Sequence, residues 1–174
     1  MTNHNKVITN IHTQETLIQA PPIFNEILYE DGAMITETDP QGIITYANRK
    51  FREISGFSKK ELIGSPHSLL RHPEMPVGLF KAMWKIISAK KVWRGYIKSL
   101  CKDGSFYWAL VYIQPKLDED GNIIGYASSR RYAYPESIKE VTKHYANLRG
   151  DEYIDDEYFM NTELFHGDAL AKFS

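Results

Sequence analysis

"VWRGYIKSLCKDGSFYWALVYIQPKLDEDGNIIGYASSRRY", residues 92 to 132, contains three long extended runs separated by two turn signals. In "KDGS" and "DEDGN", Asp offers a side chain that bonds the backbone ahead of it and Gly accepts positive φ, which a tight reversal requires. The runs "VWRGYIKSLC", "SFYWALVYIQPKL" and "NIIGYASSRRY" therefore predict an antiparallel meander. Along the middle run Phe106, Trp108, Leu110 and Tyr112 alternate with Tyr107, Ala109, Val111 and Ile113, so both faces are apolar. A strand of that kind is covered on both sides.

Working outward, "AMITETDPQGIITYAN" reads as a hairpin about Asp39-Pro40-Gln41-Gly42. Short helical pieces follow it. Asn48 can cap a turn containing Phe51 and Ile54, and Ser58 caps "KKELIG", which stops at Gly64. Pro66, Pro73 and Pro76 keep the next pieces short. From Pro76 a longer helix starts, with Leu79, Phe80, Met83, Trp84, Ile86 and Ile87 on one broad apolar face. The expected architecture is α+β: a five-stranded antiparallel sheet with short helices on one face, extended by an N-terminal and a C-terminal helix.

The stretch to about Ala20 reads as a loose arm, and "PPIFNEILYED" as a short amphipathic helix with Ile23, Phe24, Ile27 and Leu28 at helical spacing. That helix, or a second copy of the chain, would cover the outer sheet face. "PESIKEVTKHYANLRG" predicts an exit helix with a Pro start and a Gly stop, followed by an acidic tail in which Tyr153, Tyr158, Phe159 and Phe165 are interleaved. The expected division is 1–31 arm and cap helix, 32–133 core domain, and 134–174 exit helix and tail.

With 174 residues the chain suits one hydrophobic core. Its net charge of -1 gives no field to favour nucleic acid, and the basic residues are scattered. No apolar run is long enough to cross a bilayer and the N-terminus lacks a signal-peptide pattern, so direct membrane insertion is not expected and a cytoplasmic location is. Cys101 is the single cysteine, which excludes an internal disulfide and a cysteine-rich zinc site. His67 and His72 are five residues apart, so they do not form the one-face pair that binds zinc on a helix. Neither a nucleophile elbow nor a phosphate loop is present, and enzyme activity is not expected. Aromatic residues reach 13%, an excess that a flat ligand or an adhesive interface would use.

"ITETDPQGIITYANRKFREISGFSKKELIGSPHSLLRHPEMP", followed by "MWKIISAKKVWRGYIKSLCKDGSFYWALVYIQP", resembles a PAS sensory domain over about residues 32 to 133. The opening hairpin and the "KDG" turn before a Trp-containing strand are shared widely in that family and imply the fold. "PHSLLRHPEMP" with the downstream Met-Trp is narrower and resembles the PAS domain of bacterial aerotaxis receptors, where the segment goes with noncovalently held FAD. Glu74 departs from the Asp associated with that segment. Lacking membrane-spanning and coiled-coil signalling segments, the chain is similar to the separate PAS subunits of bipartite energy-taxis systems.

The resemblance implies a redox sensor for energy taxis, held near the membrane by contact with a membrane-bound chemotaxis transducer chain, and a homodimer is a further expectation. The cofactor-contacting residues it implies are Asn48, His67, Arg71, His72, Met75, Trp84, Trp93, Tyr107 and Trp108. Several have plainer readings. Arg71 can clamp a pyrophosphate or a ring edge, or it can pair with Glu74 at the surface. Asn48 can cap its helix or face the ring, and Trp84 can be core. Gly95 on the first strand of the meander, with Gly125, Ala127 and Ser129 along one face of the third, would leave room for a flat ring; a tight strand crossing is an equal explanation for the glycines. Cys101, at a strand end, reads as a buried structural thiol rather than a flavin-adduct cysteine. Three other readings stay open: a haem sensor with His72 as axial ligand, a cofactor-free interaction module, and a flavoenzyme.

Overall fold

The computed structural model of this protein describes residues 6–30 and 32–146. Seven strands and four α-helices are present among them, in the order β1 (Val7–Thr9), β2 (Thr16–Ile18), β3 (Met34–Thr38), β4 (Ile44–Ala47), α1 (Arg49–Ser55), α2 (Lys59–Leu62), α3 (Val77–Ser88), β5 (Trp93–Leu100), β6 (Phe106–Leu117), β7 (Ile123–Tyr132) and α4 (Pro135–Ala146). A 3-10 turn, His67–Leu70, lies between α2 and α3.

The last five strands form one antiparallel sheet in the order β4-β3-β7-β6-β5, so the meander and the opening hairpin meet through β3 and β7. Register follows the pleat: Thr36 opposes Ser128, Ser128 opposes Ile113, and Ile113 opposes Trp93 across one row of the inner face. On that face Tyr107, Ala109 and Val111 are fully buried, and α3, which packs on β5 and β6, buries Leu79, Ile86 and Ile87. Fully burying an aliphatic side chain contributes about 1.5–3 kcal/mol, so this helix–sheet contact supplies much of the cohesion.

Local signals place the short elements. Asn48 Oδ1 accepts from Phe51 N at 3.0 Å to cap α1, which ends at Gly56 in the left-handed conformation. Ser58 and Glu61 complete a capping box on α2. Pro76 stands immediately before α3, as its missing N–H allows.

Three expectations are corrected. No helix forms over residues 21–30 of "PPIFNEILYED": Phe24 and Leu28 are exposed, and those residues run extended. It runs alongside β6 where β7 has ended, with Ile23 N donating to Gly104 O, Phe106 N to Asn25 O, and Ile27 N to Phe106 O. Those bonds satisfy a strand edge, a need that helical spacing of apolar residues does not reveal. The loose arm is likewise ordered, since β1 and β2 pair as a hairpin whose Ile8 is buried and whose Leu17 packs on the core. Finally, the inward residues of β7 are Tyr126, Ser128 and Arg130, not the Gly125, Ala127, Ser129 set. Gly125 has φ +159° and a Cβ there would collide with the Thr38 carbonyl, so a close strand crossing explains it.

α4 carries Val141 and Tyr145 into the core, and Tyr145 Oη donates to Tyr96 O at 2.9 Å. The predicted Gly150 stop and the tail aromatics Tyr153, Tyr158, Phe159 and Phe165 lie outside the described residues. Among the described residues no helix is long and apolar enough to cross a membrane.

Candidate ligand cavity

Between the inner sheet face and the short helices lies a cavity of about 260 Å³. The β3–β4 turn contributes Gln41 and Gly42, the 3-10 turn His67, Ser68 and Leu70, α3 Phe80, Met83, Trp84 and Ile87, and the sheet Thr38, Ile97, Ser99, Ile113, Tyr126, Ser128 and Arg130; Arg71 completes the wall. An apolar cavity of about 150 Å³ accepts a benzene ring. The space here suits a fused ring system and is too small to enclose a whole dinucleotide.

One wall is apolar and flat-sided. Trp84 is half-buried, meets Tyr126 edge-on at 5.4 Å between ring centroids, and lies against Gly42, where an added Cβ would come within 3.3 Å of the indole. Gly42 also has φ +86°, so both the turn and the ring contact require glycine.

Two guanidiniums also line the cavity. Arg130 is 3% exposed, with Nη1 donating to Ser128 Oγ at 3.1 Å and Thr36 Oγ1 at 3.3 Å, Nη2 donating to His67 Nε2 at 3.2 Å, and the guanidinium 5.2 Å over the Phe51 ring. Its Nε is buried without a partner. Arg71 lies with its guanidinium carbon 3.8 Å over the Phe80 ring, and its Nε is also buried and unpartnered. Neither guanidinium has a carboxylate partner among the described residues; Glu74 pairs with Lys98 at 2.6 Å, so the Arg71–Glu74 ion pair does not form. Burial lowers both arginine pKa values, yet arginine starts so high that both remain charged at neutral pH. Taking a guanidinium out of water without an anion costs several kcal/mol, and neutral hydrogen bonds recover only part of it.

His67 is held neutral. Burial, then the Arg130 charge and more weakly that of Arg71, lowers its pKa from 6.5 to about 3. Its Nε2 also lies 3.2 Å from Thr36 Oγ1.

Of the nine residues expected at a cofactor, the structure brings His67, Arg71 and Trp84 to the cavity. The other six lie elsewhere. Asn48 spends its amide on structure, accepting from Ile35 N and Phe51 N and donating to Ala33 O. His72 is buried beside Phe106, its Nδ1 accepting from Glu74 N at 3.1 Å, and burial leads the lowering of its pKa. Met75 Sδ accepts from Lys98 N at 3.4 Å. Trp93 and Tyr107 are fully buried core, and Trp108 is half-buried on the outer face. Cys101 is buried outside the cavity, its thiol bonded to Ile54 O and pushed up to about 12 by burial and then by Asp103.

The residue missed was Arg130. Strand alternation in "YASSRRY" forces one of two adjacent arginines inward, a signal that was available. Tyr126 and Ser128 follow from the same register.

Fold and cavity together define a sheet-and-helix sensory domain. The chain belongs to the PAS family: the model described as PAS fold matches residues 24–128. It is similar to the aerotaxis receptor of Escherichia coli strain K12, at 38% identity over 124 residues, which are 71% of this chain and 24% of the receptor. To the nitrogen fixation regulatory protein of Klebsiella pneumoniae it is 28% identical over 113 residues, 65% of this chain and 23% of that protein. The chain thus spans about a quarter of the length of these relatives. Its fold is also that of the light-state structure of the blue-light photoreceptor Aureochrome1 LOV, with a TM-score of 0.57, 24% identity, and coverage of 66% of this chain and 91% of that one.

Proposed function

We propose that this PAS domain binds FAD with the flavin ring in the cavity and acts as a redox sensor for energy taxis. The observation that carries the reading is the pair Arg71 and Arg130, two guanidiniums that line the cavity with no carboxylate beside either among the described residues. A charge buried as fully as that of Arg130 asks for an electron-rich partner. A flavin edge bears carbonyl and ring-nitrogen acceptors, and its dinucleotide arm bears a pyrophosphate. Bound there, the flavin would supply reversible electron acceptance.

The chain's own groups do the rest. Trp84, Tyr126, Phe80 and Ile113 would flank the ring faces and exclude water. Arg130, fixed by Thr36, Ser128 and His67, would face one polar edge. Arg71, at the end of the 3-10 turn, is the group to meet the phosphates, since a cavity of about 260 Å³ leaves them outside. A change of charge at the ring would act first on Arg130 and His67, and through β7 on the sheet. The output partner in this reading is a membrane-bound chemotaxis transducer, contacted in the cytoplasm, and the domain is a sensor rather than an enzyme. Similarity to an aerotaxis receptor supports that partner class.

Haem is the weaker reading, because His72, its expected axial ligand, lies outside the cavity with Nδ1 already bonded. The absorption spectrum of the purified protein tests the proposal. Two broad near-ultraviolet and blue bands, with FAD released on denaturation, are expected. An intense Soret band, or a colourless protein that stays so after incubation with FAD, would overturn it.

A further inference from the structure

We infer that Gln19 is a positioning residue for the cavity, setting Arg71 through main-chain carbonyls of the 3-10 turn; this rests on the flavin reading above. Gln19 Nε2 donates to Leu69 O at 2.9 Å and to Arg71 O at 3.1 Å, from 50 and 52 residues upstream. These carbonyls bracket Leu70, and the turn they shape presents His67, Ser68, Leu70 and Arg71 to the cavity.

The turn depends on outside partners. A 3-10 turn has poor internal hydrogen-bond geometry, and this one has no side-chain cap. It is held at one end by His67 N donating to Gly42 O, and at the other by the Arg71–Ser99 bridge and Gln19. The Arg71 guanidinium lies over the Phe80 ring and its Nε has no hydrogen-bond partner, so its main-chain position helps decide where the charge sits.

Gln19 itself is placed firmly. Its N–H donates to Lys6 O at 2.8 Å, Ile8 is buried, and Asn10 bonds the carbonyls of Lys60, Glu61 and Ile63. Removing the Gln19 amide leaves these anchors intact, so the change is confined to the turn.

Gln19→Leu keeps the bulk and removes both donors. FAD affinity is measured by flavin-fluorescence titration of ligand-free wild type, Gln19→Leu, Arg71→Met and the double variant, and amide hydrogen exchange of residues 67–71 is measured without ligand. Gln19→Leu should weaken binding about tenfold, as expected for two lost hydrogen bonds. In the Arg71→Met background its further effect should fall below about twofold. Faster exchange at Leu70 and Arg71 should accompany the loss. Equal losses in both backgrounds, or unchanged affinity in Gln19→Leu, would overturn the positioning role. A wild type that binds no FAD would overturn the flavin reading instead; exchange alone then decides the role of Gln19, with faster exchange supporting it and unchanged exchange rejecting it.

Discussion

Arg130 Nη2 lies 3.2 Å from Nε2 of His67, and because a guanidinium can only donate, that contact fixes the imidazole as an acceptor there with its proton on Nδ1. One strand residue thus sets the tautomer of a residue on the facing turn. The pair also explains how the charge persists: His67, Thr36 and Ser128 give Arg130 neutral acceptors while leaving its charge unneutralised.

A group kept for binding at a cost to folding should reveal that cost. Arg130→Met replaces a buried, unneutralised charge with an apolar side chain of similar reach. The ligand-free variant should be at least as stable as wild type in urea denaturation, by up to about 1–4 kcal/mol. A loss of more than about 1 kcal/mol would mean that Arg130 serves the fold rather than a ligand.

His67 predicts an acid limb. In the unfolded chain it takes a proton below about 6.5, and in the folded chain only below about 3. Its contribution to stability is therefore complete above 6.5 and is lost as pH falls toward 3, at up to about 1.4 kcal/mol per pH unit. Between pH 6.5 and pH 5, urea denaturation of wild type should lose about 1–2 kcal/mol more than His67→Gln. Equal losses in the two proteins would contradict the assignment.

Asn10 predicts a strong local anchor. It is 1% exposed; Nδ2 donates to Ile63 O at 2.8 Å and Oδ1 accepts from His12 N and Thr13 N. Asn10→Ala should cost about 2–3 kcal/mol by thermal or chemical denaturation. A change below about 0.5 kcal/mol would show the hairpin to be loosely held.

Cys101 should be inert. With its pKa near 12, only about one thiol in ten thousand is ionised at pH 8. Native protein should resist a disulfide reagent that labels it promptly in denaturant. Prompt labelling of the native form would contradict its burial.

The sheet was readable because its determinants are local: alternation in residues 106–113, Asp-Gly turns, and caps at Asn48 and Ser58. The N-terminal part was not, because "PPIFNEILYED" is held by pairing with the start of β6, and nothing within those eleven residues encodes a strand edge lying far along the chain. Of the cofactor contacts that the resemblance implies, His67, Arg71 and Trp84 line the cavity. Asn48 and His72 lie outside it, each bonded to a nearby backbone group that the sequence pattern does not display. Arg130 was overlooked although the alternation already used for β6 would have turned it inward.

Side-by-side flavin-fluorescence titration of ligand-free wild type and Arg130→Met with FAD tests the central claim most directly. Wild type should saturate at one flavin per chain, while Arg130→Met should bind at least about tenfold more weakly, the loss expected for one charge-assisted hydrogen bond. No saturable binding by wild type, or equal affinity in the two proteins, would contradict a flavin site built around these guanidiniums.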